Sequence, residues 1–373
     1  MKYRRKLFSY KDAFAVNDTN ELFLKAVKEN CLYHYNHCKE YKKILDGMKF
    51  HPDDLKTIDD LSKLPFLPTL IFKKHKLYSV PAFRTIVKAT SSGTAGMKSE
   101  IGFCVSDLYS GLKMVLNVSK LRGLFSPVPC NYIVFGYKPH KSNKTAVTKT
   151  ALGATFFTPA LSRTFALKYS NGKYNADLEG ILNAVIKYSK SKMPVRFMGF
   201  PSYTYFLMKM MDERNIRVKL PANSKILLGG GWKQFYTEQV DKSVFYDLAK
   251  KVLNIDDWNI IEFFGAVEHP VLYCDCKNHH FHVPIYSRVL IRDVDTLDVL
   301  DNGEEGLVNL ITPMVKACPI LSVMTDDLGI LHDGENCSCG INSPYLEIIG
   351  RIGMKDIKTC AAGAAEILKE VNL

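Results

Sequence analysis

The chain has 373 residues, 47% of them hydrophobic and 24% charged. That is enough apolar surface for a large core and too even a mixture for a disordered, collagenous or coiled-coil protein. Lysine and arginine outnumber aspartate and glutamate by 50 to 38, a formal charge of +12, which favours anionic partners such as nucleotides, phosphates, nucleic acid or an acidic carrier protein.

The opening, MKYRRKLFSYKDAF, is basic, but Ser9, Tyr10, Lys11 and Asp12 follow where a secretory signal would need a continuous apolar run. LPFLPTLIF is far below the roughly 20 residues that cross a bilayer, so a cytoplasmic protein with no membrane span is expected. Residues 17–48 read as one helix, with Leu22, Phe23, Ala26, Val27, Leu32 and Tyr33 at helical spacing and Asp18 or Thr19 as its cap. Residues 61–76, interrupted by Pro65 and Pro68, read as an irregular connector laid over the core. Short β-rich runs at 85–89, 131–137, 195–200, 225–228 and 259–264 then alternate with amphipathic segments at 177–190, 203–214 and 237–253. Such alternation implies a mainly parallel sheet covered on both faces. After about residue 283 the helices thin out, and VLIRDVDTLDVLDNGEEGLVNLI reads as two strands joined at Asp301-Asn302-Gly303, so an antiparallel β region closes an α/β chain.

Five places carry chemistry. Thr90-Ser91-Ser92-Gly93-Thr94-Ala95-Gly96-Met97-Lys98-Ser99 follows a strand-like run, and its hydroxyls, backbone N–H groups and Lys98 suit phosphate oxygens. Met97 stands where a Walker A loop needs glycine, which excludes that reading. Gly229, Gly230 and Gly231 end another strand and let a flat ring approach the backbone. Glu268, after the run FFGAV, is placed to hold Mg²⁺ beside a nucleotide, and Asp326, Asp327 and Arg351 suit ribose hydroxyls or phosphate.

The cysteines form the fourth feature. Of the ten, Cys31, Cys38, Cys104, Cys130 and Cys318 read as small buried hydrophobes. Cys276 and His282, with Cys337 and Cys339 further on, have the donor types of a closed tetrahedral zinc site that would staple the β region at about 270–345. Cys274, His279 and His280 are close enough in sequence to replace one of them. The fifth is Cys360 in KDIKTCAAGAAEIL, where Lys355 and Lys358 favour the thiolate and the small residues after it leave the sulfur open.

In order, TSSGTAG, GGG, FFGAVE, DD and GR resemble the motif series of the adenylate-forming enzymes. Within that superfamily the chain is similar to the acyl-protein synthetases of bacterial luminescence operons, from LPFLP through GGGWK and CSCG to the tail. The resemblance implies the large N-terminal domain of those enzymes, with a helical region over 1–80, a core over 81–350 and a short tail over 351–373 in place of the mobile C-terminal domain. It implies ATP phosphates on Ser91, Ser92, Gly93, Thr94 and Gly96, adenine along Gly229 to Gly231, Mg²⁺ on Glu268, ribose on Asp327 and the end of the large domain at Arg351. It also implies transfer of the acyl group to Cys360 and then to a reductase partner, with a fatty acid as substrate. Two departures stand out: Lys98-Ser99 replaces the usual Pro-Lys, and Gly353 replaces the usual acid after the Gly-Arg pair. Residues 197–203 line the acid pocket or form a core strand and turn. A ligase delivering directly to coenzyme A or a carrier protein is the enzymatic alternative. A zinc-stapled nucleic-acid binder is the other, but the lysines are scattered and make no basic block, so no nucleic-acid partner is expected.

Overall fold

A computed structural model describes residues 1–91, 98–140, 152–232 and 239–351. The chain divides into two units, one made of residues 1–118 with 265 onward and the other of residues 119–264.

In the first unit, α1 (Lys2–Leu7), α2 (Asn20–His37) and α3 (Lys39–Gly47) open the chain. Residues 17–48 therefore form two helices and not one. The break is at Cys38, whose backbone is extended at φ −126° and ψ 105° while its N–H closes α2 on the His34 carbonyl. No glycine or proline marks this position; Cys38 turns because its side chain and the inward faces of both helices are buried together. Thr19 precedes α2, but its hydroxyl donates backward to the Ala15 and Val16 carbonyls, and Asp18 lies within a preceding 3-10 turn, so neither is a side-chain cap.

The connector at 61–76 is more regular than its prolines suggest. It contains β1 (Leu67–Pro68) and α4 (Thr69–Lys74), and both prolines precede the helix, where they break no helical hydrogen bond. β2 (Val87–Thr90) and β3 (Glu100–Phe103) form an antiparallel hairpin. After β3 comes α5 (Val105–Val118), a helix absent from the sequence reading. Asp107 anchors its first turn. That buried carboxylate accepts from Arg4 Nη1 at 2.8 Å and from the backbone N–H groups of Cys104, Lys316 and Ala317.

The second unit carries β4 (Cys130–Tyr137), β5 (Ala160–Ser170), β6 (Lys173–Ala176), α6 (Leu178–Ser189), β7 (Val195–Gly199), α7 (Pro201–Glu213), β8 (Lys225–Gly229), α8 (Lys242–Leu253) and most of β9 (Ile260–Ala266). Its strands run in the order β9-β8-β7-β4-β5-β6, parallel as far as β5, with β6 folded back antiparallel. The period of two along β4 separates the faces. Ile133 and Phe135 join Phe197, Ile226 and Ile260 beneath the apolar sides of α6, α7 and α8, whereas Tyr132 and Val134 pack with Phe165. The β5–β6 hairpin went unread because its outer positions are polar and broken by Asn171-Gly172.

The first unit resumes with β10 (His269–Cys274), β11 (Phe281–His282), β12 (Arg288–Arg292), β13 (Glu305–Ile311), β14 (Ser322–His332) and β15 (Tyr345–Arg351). β11-β15-β14-β13-β12 is an antiparallel sheet, with β1 added in parallel to β14. The strands expected around Asp301-Asn302-Gly303 are β12 and β13, but the connection is longer than a tight turn, since Asp293 holds the N–H groups of Asp295 and Thr296 and Arg292 bridges to Val299.

Two arginines of β12 tie the N-terminal segment to this sheet. Arg288 donates to the carbonyl of Val16 and to Asn20 Oδ1 with its guanidinium 4.2 Å from the Phe23 ring centre, and Arg292 donates to the Ser62 carbonyl beside Phe66. His34 is buried in the same unit, with Nδ1 2.6 Å from Ser79 Oγ and Nε2 3.1 Å from the Val315 carbonyl. Burial pulls both His34 and His269 down to about 3. A histidine depressed in the folded state and ordinary in the unfolded state contributes stability above the unfolded value, and this is lost as pH falls through the folded one. The denaturant midpoint is therefore expected to fall between pH 7 and pH 5, the two groups together removing roughly 3–4 kcal/mol. Urea titrations at the two pH values check this; equal midpoints for the wild type would refute it.

Candidate functional site

The described ends of the glycine and hydroxyl stretch adjoin a hairpin, Thr90 ending β2 and Ser99 preceding β3. Ser91 clasps that end of the hairpin: its N–H donates to the Ser99 carbonyl at 3.1 Å while its hydroxyl accepts from the Ser99 N–H at 3.0 Å. Lys98 is exposed beside the clasp. Ser92, Gly93, Thr94 and Gly96 lie outside the described residues, as does Cys360.

Asp326 and Asp327 sit mid-strand in β14, opposite the end of β15, where Asp327 pairs in register with Arg351. Arg351 Nε is 3.6 Å from Asp327 Oδ1, and Arg351 Nη2 is 3.7 Å from Asp326 Oδ2. Thr69 Oγ1 is 3.3 Å from both Asp326 oxygens and Lys73 Nζ is 3.7 Å from Oδ2, so α4 supplies two partners that the sequence reading missed. The signal was there in Thr69 directly after Pro68, a helix start hidden inside a proline-rich run. Burial pushes the Asp327 carboxyl above the ordinary carboxylate range, against the pull of Arg351, with Asp326 and Glu268 adding like charge. Glu268 is buried in the two-residue turn between β9 and β10. A strongly hydrated divalent cation bound chiefly by substrate phosphates needs only one or two such carboxylates.

In the second unit, Gly229 closes β8 and Gly230 and Gly231 follow at φ +82° and +65°. Both angles favour glycine. Among the described residues, a Cβ on Gly231 would meet nothing within 4 Å. Within 197–203, Phe197 and Met198 are core strand residues, and Gly199 at φ +149° approaches Phe135 so closely that a Cβ would lie 2.6 Å from its side chain.

The four candidate metal donors converge. Cys276, His282, Cys337 and Cys339 bring one donor atom each to within 4.8 Å of one another. Register explains why: β11 pairs with β15, placing His282 opposite Tyr345, so the β10–β11 turn with Cys276 meets the β14–β15 connection with Cys337 and Cys339. Two backbone features shape these turns. His279 adopts φ +59° and Gly340 φ +95°. Cys276 Sγ is 3.7 Å from Cys337 Sγ and Cys339 Sγ is 3.2 Å from His282 Nε2. The sulfur pair matches the edge, about 3.8 Å, of a tetrahedron with Zn–S bonds of about 2.3 Å.

The surroundings fit a metal as well. His282 Nδ1 lies 2.7 Å from the Ser343 carbonyl, which fixes the tautomer and leaves Nε2 facing the sulfurs. The N–H groups of Asn278 and Ile341 donate to Cys276 and Cys339, and His280 Nδ1 is 3.1 Å from Cys337 Sγ. Burial pushes the Cys276 thiol up to about 12 and raises Cys339, so thiolates persist here only with a cation to hold them. Cys274, His279 and His280 are outside the four-donor group.

A parallel sheet with helices and a closing antiparallel sheet is the fold of the adenylate-forming enzymes. A 2-hydroxyisobutyryl-CoA ligase, solved in the postadenylation state with 2-HIB-AMP, matches with a TM-score of 0.69 at 15% identity over 92% of this chain and 70% of that one. Together with the family match over residues 7–369, this makes the protein an acid-activating ligase. More narrowly, the chain belongs to the acyl-protein synthetase, LuxE, family, whose pattern matches residues 7–369. It is 26% identical to the long-chain-fatty-acid–luciferin-component ligase of Aliivibrio fischeri over 96% of this chain and 91% of that one. It is 24% identical to the phenylacetate-coenzyme A ligase of Thermus thermophilus over 85% of this chain and 67% of the relative. Among the described residues no helix is long and apolar enough to cross a membrane.

Proposed function

We propose that the protein uses ATP and Mg²⁺ to convert a fatty acid into its acyl-adenylate in the cytoplasm, transfers the acyl group to Cys360, and passes it to a reductase partner. The observation that carries this reading is the family match across residues 7–369, which spans the phosphate-loop motif and Cys360 in one chain.

A carboxylate resists substitution because attack on it must expel oxide. Exchange of that leaving group for AMP removes the obstacle: a carboxylate oxygen attacks the α-phosphorus, the bond to the β-phosphate breaks and pyrophosphate leaves. The chain's part is positioning and charge neutralisation. The loop of Ser91 to Gly96, with Lys98 as catalytic cation, holds the phosphates. Gly229 to Gly231 receive the adenine, and Asp327, oriented by Arg351, accepts the ribose hydroxyls. Glu268 would hold Mg²⁺, which supplies charge neutralisation at the phosphates. The Cys360 sulfur then attacks the acyl carbon, its proton passes to solvent and AMP departs, leaving a thioester. Zinc on Cys276, His282, Cys337 and Cys339 is structural, since four protein donors leave no open position.

Direct delivery to coenzyme A or a carrier protein is the second reading, favoured by the similarity to phenylacetate-coenzyme A ligases. One experiment separates them. The protein is incubated with Mg-ATP and a panel of carboxylic acids, pyrophosphate is measured, and intact mass is recorded with and without hydroxylamine for wild type and Cys360→Ser. Pyrophosphate release with a fatty acid and a hydroxylamine-labile adduct absent from the variant is expected. An adduct persisting in the variant removes the role of Cys360, and no pyrophosphate with any acid removes the adenylation chemistry.

A further inference from the structure

The outward face of α5 carries no charge. Val105, Leu108, Tyr109, Leu112 and Leu116 are 67%, 39%, 56%, 57% and 41% exposed. At 100° per residue these positions fall within about 100° of arc. The opposite side is conventional: Asp107, Ser110, Met114 and Val118 are buried, and Gly111 leaves room for Met314, whose Cε would lie 2.9 Å from a Cβ there. At the start of the helix Ile86, 57% exposed, donates its N–H to the Phe103 carbonyl two residues before Val105, and Phe83, 77% exposed, stands in the 3-10 turn just before it. The seven side chains together present on the order of 700 Å² of apolar surface, above the roughly 300–600 Å² of the largest patch on a typical monomer.

The border of this stripe is basic. Lys113 Nζ lies 4.7 Å from the Tyr109 ring centre and donates to Ser9 Oγ at 2.8 Å, and Asn117 donates to the Tyr10 carbonyl. These contacts lay the end of α1, with exposed Arg5, Lys6 and Lys11, along the flank of α5. Arg84 sits over the Phe83 ring at the other end. Of the acids nearby, Asp107 is buried on Arg4, Glu100 is paired with Lys76 and Lys88, and Asp12 caps the Phe14 N–H.

We propose that this face docks on an anionic lipid bilayer, with α5 lying in the plane of the headgroups, its apolar stripe inserted and the basic border on the lipid phosphates. Charge complementarity selects this occupant. A second copy of the chain would set the same basic border against itself, whereas acidic headgroups neutralise it. The placement does not depend on the adenylation reading, and it fails or holds separately.

The test uses the full chain and vesicles of phosphatidylcholine alone or mixed equally with phosphatidylglycerol. Cosedimentation is expected to be about tenfold or more stronger with the mixed vesicles and to weaken in salt. Leu108→Asp/Leu112→Asp and Arg5→Glu/Lys6→Glu are each expected to lower it about tenfold with the thermal midpoint unchanged, because every altered side chain is exposed. Should the aspartate pair impair folding, Leu112→Trp replaces it, and its emission is expected to shift to the blue on mixed vesicles. No association with either vesicle, equal binding to both, unchanged binding in the variants, or a lipid-free dimer that Leu108→Asp/Leu112→Asp dissociates would each overturn the proposal.

Discussion

Cys337→Ser is expected to release the bound metal and lower the thermal midpoint by about 10 °C, the consequence of losing roughly 3–5 kcal/mol. Isolated zinc-finger peptides gain more than this from their metal, but here Cys337 staples only two connections of a sheet that also has its own apolar core. Cys337 is buried against Cys276 and within reach of His280 Nδ1, so serine leaves a divalent site one thiolate short without opening it to water. Metal analysis should find one equivalent of zinc in the wild type and little in the variant. Pyrophosphate release by whatever variant remains folded should be unaffected, since a closed site takes no part in turnover. Equal midpoints, or a wild type isolated without metal that binds no added zinc, would refute the structural assignment.

Asp107→Ala is expected to be as damaging, by about 3–5 kcal/mol, because it strands the guanidinium of Arg4 in the interior. Asp107 also serves three backbone N–H groups, those of Cys104, Lys316 and Ala317, and stands in the first turn of α5, where a negative charge faces the positive helix end. The double variant Arg4→Met/Asp107→Leu should recover only part of the loss. It removes the stranded charge but leaves those three donors unpaired at about 1 kcal/mol or more each. Chemical denaturation of the three proteins measures this; full recovery in the double variant would mean that the backbone donors contribute nothing.

Legibility in the sequence followed the range over which each feature is determined. Four strands of the parallel sheet, β4, β7, β8 and β9, and the helices α6, α7 and α8 stood out because a buried strand is apolar along several consecutive residues and its covering helix repeats every three or four, whereas β5 alternates with polar positions and did not. The four candidate metal donors were readable for a different reason, as cysteine and histidine in two short turns are uncommon without a shared cation. α5 was missed because its buried side includes Asp107 and Ser110 while Leu108, Tyr109, Leu112 and Leu116 face outward, the reverse of the pattern that marks a core-facing helix. The division at Cys38 was missed because no breaker residue stands there.

By itself the sequence determined the alternation of strand and helix, the donor types of the candidate metal site and the order of the motifs around Gly93, Gly230, Glu268, Asp327 and Arg351, since each rests on neighbours along the chain. Only the tertiary structure decided that Ser91 clasps a hairpin, that α4 supplies Thr69 and Lys73 to Asp326, that His282 and not His280 joins the three thiols, and that an uncharged helix face is left outside the core. Those outcomes depend on pairing register and on burial against residues hundreds of positions away, such as Thr69 with Asp326 or Asp107 with Lys316. Local pattern carries no record of them.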